Sequence, residues 1–289
     1  MRSSVFMGMF LVLTYMFSNS MSSKEPDYII AIGDIHGDIV AFKKTLQING
    51  IINDRDEWIF GSNTVIQMGD LIDRGENDRE VLEYAMNLEN IAKNAGGEYI
   101  QLLGNHEIMN LENYYMYAID DIQDGKIIGF GTREERIKAL KPDSPIGKWL
   151  REKDLIYKWK NDTVFVHGGI SDINIVNIGI DSINKEYKHI LNSSNYESEK
   201  KKTIESIVWD RYLSLGNNYN TCDVLDNILN NLNVKRMVVG HTITSTVGFK
   251  PGEIGDRCGG KIILTDVGMS SYYKSIPFTG NVAKIYELN

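Results

Sequence analysis

Four of the five histidines in this chain stand at the ends of short apolar runs, each within two residues of a glycine. They are His36 in "YIIAIGDIHGD", His106 in "EYIQLLGNHE", His167 in "TVFVHGG" and His241 in "KRMVVGHT". A fifth run, "TVIQMGDLIDRG", ends at Asp70, Asp73 and Arg74. A lone buried histidine is more often a satisfied core residue than a ligand. Four at equivalent places, joined by Asp34, Asp70 and Asn105, ask for a common cause. Imidazole, carboxylate and amide oxygen together suit Mn, Fe and Zn. Two such ions about 3.5–4 Å apart can clamp the attacking and leaving oxygens of a phosphoryl displacement. Asp34 and His36 are two residues apart, so in extended backbone they face one side and can share an ion. Gly33 and Gly37 keep Cβ atoms away and allow tight turns. His189 lies in a polar run and is read as a surface residue.

These groups need a frame that brings them together. Residues 38–50 carry helical spacing, with Val40, Phe42, Leu46 and Ile48 as the apolar set. Residues 78–94 read as a second helix, with Asp78 at its start and Gly96-Gly97 beyond its end. The first hundred residues therefore run strand, helix, strand, helix, strand, the order of a right-handed parallel α/β layer. Such sheets collect ligands at the carboxyl ends of their strands, so the five clusters are expected on one edge. Residues 108–160 read as a mostly helical insertion, and 171–205 as exposed helix or loop. A short helix over 222–233 precedes a strand over 235–240. The tail, "KIILTDVG" and "GNVAKIYEL", reads as β-structure of a second sheet packed on the first.

With 289 residues, 42% hydrophobic and 24% charged, the chain has the composition of an ordinary folded globule. A net charge of −8 argues against nucleic acid as a partner and against docking on anionic membranes. "VFMGMFLVLTYMF" followed by "SNSMSS" reads as a signal peptide over 1–20, with the working domain over 25–289. This sets the expected location in the secretory pathway, with a membrane contact only if the segment is retained. Cys222 and Cys258 are too few for a disulfide framework. One bridge and two separate thiols both remain open on the sequence. Asn161 and Asn192 match the N-glycosylation pattern.

The ordered set "GDIHG", "GDLIDRG", "GNHE", "HGG" and "GHT" resembles the calcineurin-like metallophosphoesterases in the spelling of the phosphoprotein phosphatases. The resemblance runs from about Ile30 to His241. It implies a metallophosphoesterase β-sandwich with flanking helices, carrying two divalent ions (Mn, or Fe and Zn). Asp34 and His36 would hold the first ion, Asp70 would bridge, and Asn105, His167 and His241 would hold the second. His106 would be the general acid, oriented by Asp73. Arg74 would fork onto the phosphate, with Asn105 beside it. A water activated by the metals would attack phosphorus directly, with no phosphoenzyme. The substrate would be a phosphorylated protein or peptide.

"FVHGGI", "VWDRY" and "RMVVGHT" with "TDVGMS" are similar to the Shewanella-like protein phosphatases, a branch that implies a preference for phosphotyrosine. The chain lacks the Arg-Ala-His and Ser-Ala-Pro-Asn-Tyr strings of the eukaryotic serine/threonine enzymes, so their regulatory grooves do not carry over. In "VWDRY", Arg211 is a candidate second phosphate ligand, or else a surface arginine beside a core Trp209. Tyr272 and Tyr273 are candidates for the site rim, or a packed aromatic pair. Diadenosine polyphosphate and other nucleotide hydrolases share "GD.HG" and "GNH", but usually lack an acid at the place of Asp73 and end the third motif in Asp rather than Glu107. A catalytically dead fold used as a binding module would have lost a ligand or the acid. None is missing here.

Overall fold

Ile29–Ile32 (β1) is buried along its whole length, as expected of a strand covered on both faces. It leads into α1 (Ile39–Ile48), β2 (Thr64–Gln67), α2 (Asp78–Asn94) and β3 (Glu98–Gln101). The computed structural model describes residues 28–193, 199–216 and 219–287. The leader-like segment, 1–20, lies outside the described residues. β1, β2 and β3 pair in parallel, in the order the sequence implied. α2 buries Val81, Leu82, Ala85, Leu88 and Ala92, the spacing of one helical face. α1 departs from expectation on its face. Phe42 and Leu46 are buried, but Val40 and Ile48 are 70% and 56% exposed, and Ile39 and Ala41 take the inner positions. The helix is short, and the sheet beneath it sets its rotation.

After β3 come α3 (Asn105–Leu111), a hairpin of β4 (Asp121–Gln123) and β5 (Lys126–Ile128), α4 (Arg133–Ala139) and α5 (Pro145–Arg151). They are followed by β6 (Ile156–Trp159), β7 (Thr163–Val166), α6 (Ile173–Ile178), α7 (Ile180–Leu191) and α8 (Glu199–Trp209). The chain then runs through α9 (Tyr212–Leu215), α10 (Thr221–Leu232), β8 (Arg236–Val239), β9 (Gly255–Arg257), β10 (Ile262–Leu264) and β11 (Ala283–Ile285). The segment 108–160 is thus not helical throughout: it contains a hairpin, and its last residues form the edge strand β6. Nor is 171–205 merely exposed, since α7 buries Ile183, Tyr187, Ile190 and Leu191.

The strands form two main sheets, β11-β1-β2-β3 and β6-β7-β8-β10-β9. The second has a parallel centre, β7-β8-β10, with antiparallel edges. One tail strand, β10, joins this second sheet, as expected. The other, β11, instead lies antiparallel against β1 in the first, where Ala283 and Ile285 face inward. Alternate residues sort the two faces. Ile29, Ala31, Ile66, Phe165 and Val238 meet in one cluster between the sheets. Ile30, Ile32, Val65, Val164, Val166, Met237 and Val239 belong to the outer core under the helices. Burying each large side chain stabilises by about 1.5–3 kcal/mol, so the strand ends are rigid supports. Cys222 and Cys258 are bridged, with Cα atoms 5.4 Å apart. Closing that span of 36 residues contributes on the order of 3–4 kcal/mol by chain entropy. Among the described residues no helix is long and apolar enough to cross a membrane.

Candidate active site

Each strand of the parallel centres stops where its backbone turns out of the sheet, and the turn presents a polar side chain. His36, Asp70, Asp73, Arg74 and His241 all have positive φ, between 46° and 70°. Non-glycine residues seldom adopt this conformation, and each such residue stores of order 1–3 kcal/mol. The extended geometry expected for "DIH" is therefore not what joins Asp34 to His36. His36 turns at φ 46°, and its Nε2 still comes within 3.9 Å of Asp34 Oδ2. The turns hold because the loops bond to one another. Ile35 and His36 N–H donate to Asp70 O at 3.0 Å each, and Gly37 N–H donates to Leu71 O at 2.8 Å. His241 N–H donates to the Asp34 carboxylate at 3.1 Å. Glu107, in the first turn of α3, accepts Gly104 N–H at 2.9 Å and the N–H groups of Asp70 and Leu71 at 2.8 Å each. A Cβ on Gly104 would sit 2.2 Å from Asp70 Oδ1, so the "GD" and "GN" loops can touch only through glycine.

Asp70 occupies the centre. Its Oδ2 lies 3.3 Å from His167 Nε2, 3.8 Å from His106 Nε2 and 3.9 Å from His36 Nε2. Two groups of donor atoms fall within 4.8 Å of one another, His36-Asp70-His106 and Asp70-His167-His241. Asp70 is common to both. Asn105 Oδ1 is 3.0 Å from His167 Nε2. His36 Nδ1 is bonded to Ile72 O at 3.2 Å and His167 Nδ1 to Met68 O at 2.8 Å. These carbonyls hold both rings with Nε2 directed at the cluster, the outer support typical of metal-binding imidazoles.

The charges in the cluster are unbalanced. Burial, then Asp266 and Asp70, push Asp34 well above the usual carboxylate range. Burial and then the neighbouring His167 press His241 down to about 2, and burial takes His36 to about 3. Both rings are thus neutral and able to ligate. Burial opposes charge on His167 too, but Asp70 and Asp34 together outweigh it and lift it to about 10. His241 Nε2 is buried without a partner. Buried acids, neutral imidazoles and an orphaned ring nitrogen make a site that divalent cations would complete, and the donor set fits them.

Residues 28–245 match the family described as calcineurin-like phosphoesterase. The chain belongs to it. Shewanella-like protein phosphatase 2 of Arabidopsis thaliana is 31% identical, over 86% of this chain and 72% of that one. A cold-active protein-tyrosine phosphatase from a psychrophilic Shewanella species shares the fold, with TM-score 0.70 and 24% identity over 90% of this chain and 80% of the other. A second cold-active protein tyrosine phosphatase structure, 27% identical, covers 84% of this chain and 70% of its own, with TM-score 0.65. The protein is a metal-dependent phosphatase of the Shewanella-like branch of these phosphoesterases.

On this phosphatase, His106, grouped with His36 and Asp70, also has a set of contacts of its own. Its Nδ1 lies 2.7 Å from Asp73 Oδ2. Burial disfavours its charge, but Asp70 and Asp73 prevail and raise its pKa. Arg74 Nη2 is 3.3 Å from His106 Nε2 and its Nη1 donates to Tyr273 Oη at 2.6 Å, while its buried Nε has no partner. Tyr117 covers both, with its ring 5.2 Å from that of His106 and 5.4 Å from the guanidinium. His36, Asp70, Arg74, Arg211, His241 and Tyr273 line a cavity of about 130 Å³. Arg211 Nη1 is tied to His241 O at 2.8 Å and Thr242 Oγ1 at 3.1 Å, so it braces the His241 turn as well as facing the cavity. Trp209 is not a core residue: it is 48% exposed and its edge meets His241. Tyr273 is at the site, whereas Tyr272 packs against it with half its surface in solvent. His189 is exposed, as expected.

Several site residues were not singled out by sequence. Asp266 lines the cavity, and burial, with Asp70 nearby, raises it to about 6. A signal for it existed, because "IILTDVG" is another apolar run that ends at an acid beside glycine. Asn110, Tyr117 and Arg136 had none.

Proposed function

We propose that this phosphatase removes phosphate from phosphotyrosine in proteins. The observation that carries the reading is the mouth of the site. Arg74, whose Nη2 lies 3.3 Å from His106 Nε2, is flanked by the rings of Tyr117 and Tyr273, at 5.4 and 5.7 Å. A phosphate on Arg74 would place an aromatic leaving group between two aromatic walls. The tyrosine phosphatase likeness supports the same substrate.

Asp34, His36 and Asp70 would hold one divalent ion, and Asp70, Asn105, His167 and His241 the other. Such ions, Mn or Fe and Zn, would supply charge neutralisation and an acidified water at neutral pH. The chain's own residues do the rest. Arg74 and Arg211 bind and orient the phosphate. Asp73 accepts a hydrogen bond from His106 Nδ1–H and aims the ring. His106 delivers the proton at Nε2 to the departing phenolate oxygen. The Cys222–Cys258 bridge supports passage of the chain through an oxidising, secretory compartment, as the leader-like N-terminus implies.

The test is phosphate release from matched phosphotyrosine and phosphoserine/threonine peptides with added manganese, alongside metal analysis of the same protein. Faster turnover of phosphotyrosine is expected. Faster turnover of phosphoserine or phosphothreonine would overturn the specificity. Silence on every peptide in protein holding two ions would direct the assignment to nucleotides and other small phosphoesters.

A further inference from the structure

Below the site lies a second buried charge cluster that the ligand motifs do not contain. Arg136, on α4, is fully buried. Its Nε donates to both oxygens of Asp120 at 2.9 Å. Nη2 donates to Asp78 Oδ2 at 2.6 Å and lies 2.8 Å from Asp120 Oδ1. Nη1 donates to Asn110 Oδ1 at 2.8 Å and lies 3.6 Å from Asp73 Oδ1. Neutralising Asp78 and Asp120 would need only the first contacts. The remaining ones lead to Asp73.

Two arms reach it. Because Asn110 accepts from Arg136 through Oδ1, its amide nitrogen is turned the other way. That nitrogen donates to both oxygens of Asp73, at 3.0 and 2.9 Å, and to His106 O at 2.9 Å. Asp78 takes the Arg136 bond on Oδ2 and accepts Asp73 N–H on Oδ1 at 2.9 Å. The backbone of Asp73 is thereby held at φ 69°, and its side chain is held from behind. Its remaining side-chain hydrogen bond goes to His106 Nδ1.

We propose that Arg136 is a positioning residue for the proton donor: through Asn110 and Asp78 it fixes Asp73, and Asp73 fixes the His106 ring. This rests on the reading of His106 as general acid. Positioning of this kind matters because a misplacement of about 1 Å can cost about 100-fold in rate.

The experiment measures kcat and KM at saturating manganese on p-nitrophenyl phosphate, whose leaving group needs little proton assistance, and on phenyl phosphate, whose leaving group needs more. The proteins are wild type, Arg136→Gln, His106→Asn and the double variant. Arg136→Gln is expected to lower kcat on phenyl phosphate by roughly 10- to 100-fold, with a smaller loss on p-nitrophenyl phosphate and KM within about twofold. In the His106→Asn background the same change is expected to cost nothing more, the mark of residues acting as one unit. Equal losses on both substrates, or a loss that persists in that background, would reduce Arg136 to a structural role. Should Arg136→Gln fail to melt cooperatively, Asn110→Ser cuts the bridge while leaving the guanidinium and its two acids, and must show the same signature. If His106→Asn itself affects both substrates equally, the general-acid reading fails and takes the inference with it. A normal His106 signature with none at Arg136 or Asn110 overturns the inference alone.

Discussion

Two buried charge clusters lie side by side in this phosphatase, and they are balanced in opposite ways. Around Arg136 one guanidinium meets Asp78 and Asp120, with Asp73 at 3.6 Å. Donors and acceptors are both drawn from the chain and the hydrogen bonds close on one another, although burial, against the pull of Arg136, lifts Asp78 to about 7. Around Asp70 the donor atoms converge on one another, carboxylates crowd Asp34, and His241 Nε2 has no partner. That group is open and needs charge from outside. Burying a charge without a partner is costly in either place. The chain meets the cost internally where it needs rigidity, and leaves it for cations where it needs chemistry.

The comparison can be broken most severely at its centre. Asp70→Asn removes the oxygen shared by both donor groups. We expect fewer than two ions per chain and a loss of activity beyond the roughly 10²–10⁴-fold of a missing general acid. Metal analysis with phosphate release decides this. Two tightly held ions in Asp70→Asn would show that Asp70 is not the bridge.

The closed cluster should answer differently. Asp120→Asn removes one acid from Arg136 and alters none of the donors. Unfolding free energy is expected to drop by about 1.5–3 kcal/mol, with metal content unchanged, as read by denaturant melts and metal analysis. A fall in bound metal would mean that the two clusters are not separate in energy.

A third effect is a pH slope. An ordinary imidazole titrates near 6.5, whereas folded His167, despite burial, is lifted to about 10 by Asp70 and Asp34. Above about pH 7 the folded metal-free protein keeps a proton that the unfolded chain has lost. Its contribution to stability is complete below the unfolded pKa and is lost as pH rises through the folded one. Metal-free protein should therefore melt at lower temperature at pH 9 than at pH 7. Saturating manganese should flatten the difference, because the ion takes the place of the proton. An equal slope with and without metal would contradict the open cluster.

Much of this was legible. α2 spans Asp78–Asn94, as its apolar spacing indicated, and the parallel order of β1, β2 and β3 followed from alternating strand and helix signals. The face of α1 was not legible, since Val40 and Ile48 are apolar yet face solvent. The destination of β11 was not either, because a three-residue strand carries no mark of which sheet it will edge. In "DIH", the two side chains do come within 3.9 Å of each other, but on a backbone with positive φ at His36 in place of an extended one.

By itself the sequence determined the candidate donors and their order, because each is a local matter: a strand, a glycine and a polar residue within a few positions. It also determined that the donors would share an edge, since parallel strands end on one side. Only the tertiary structure decided which charges close on each other. Arg136 finds Asp73 because α4 folds back beneath the "GDLIDRG" turn, and Tyr273 finds Arg74 because the loop after β10 rests on the first one, with Ser270 donating to His36 O at 3.1 Å. Those partners are far apart along the chain. Their pairing depends on where whole elements come to rest, which no short pattern of residues records.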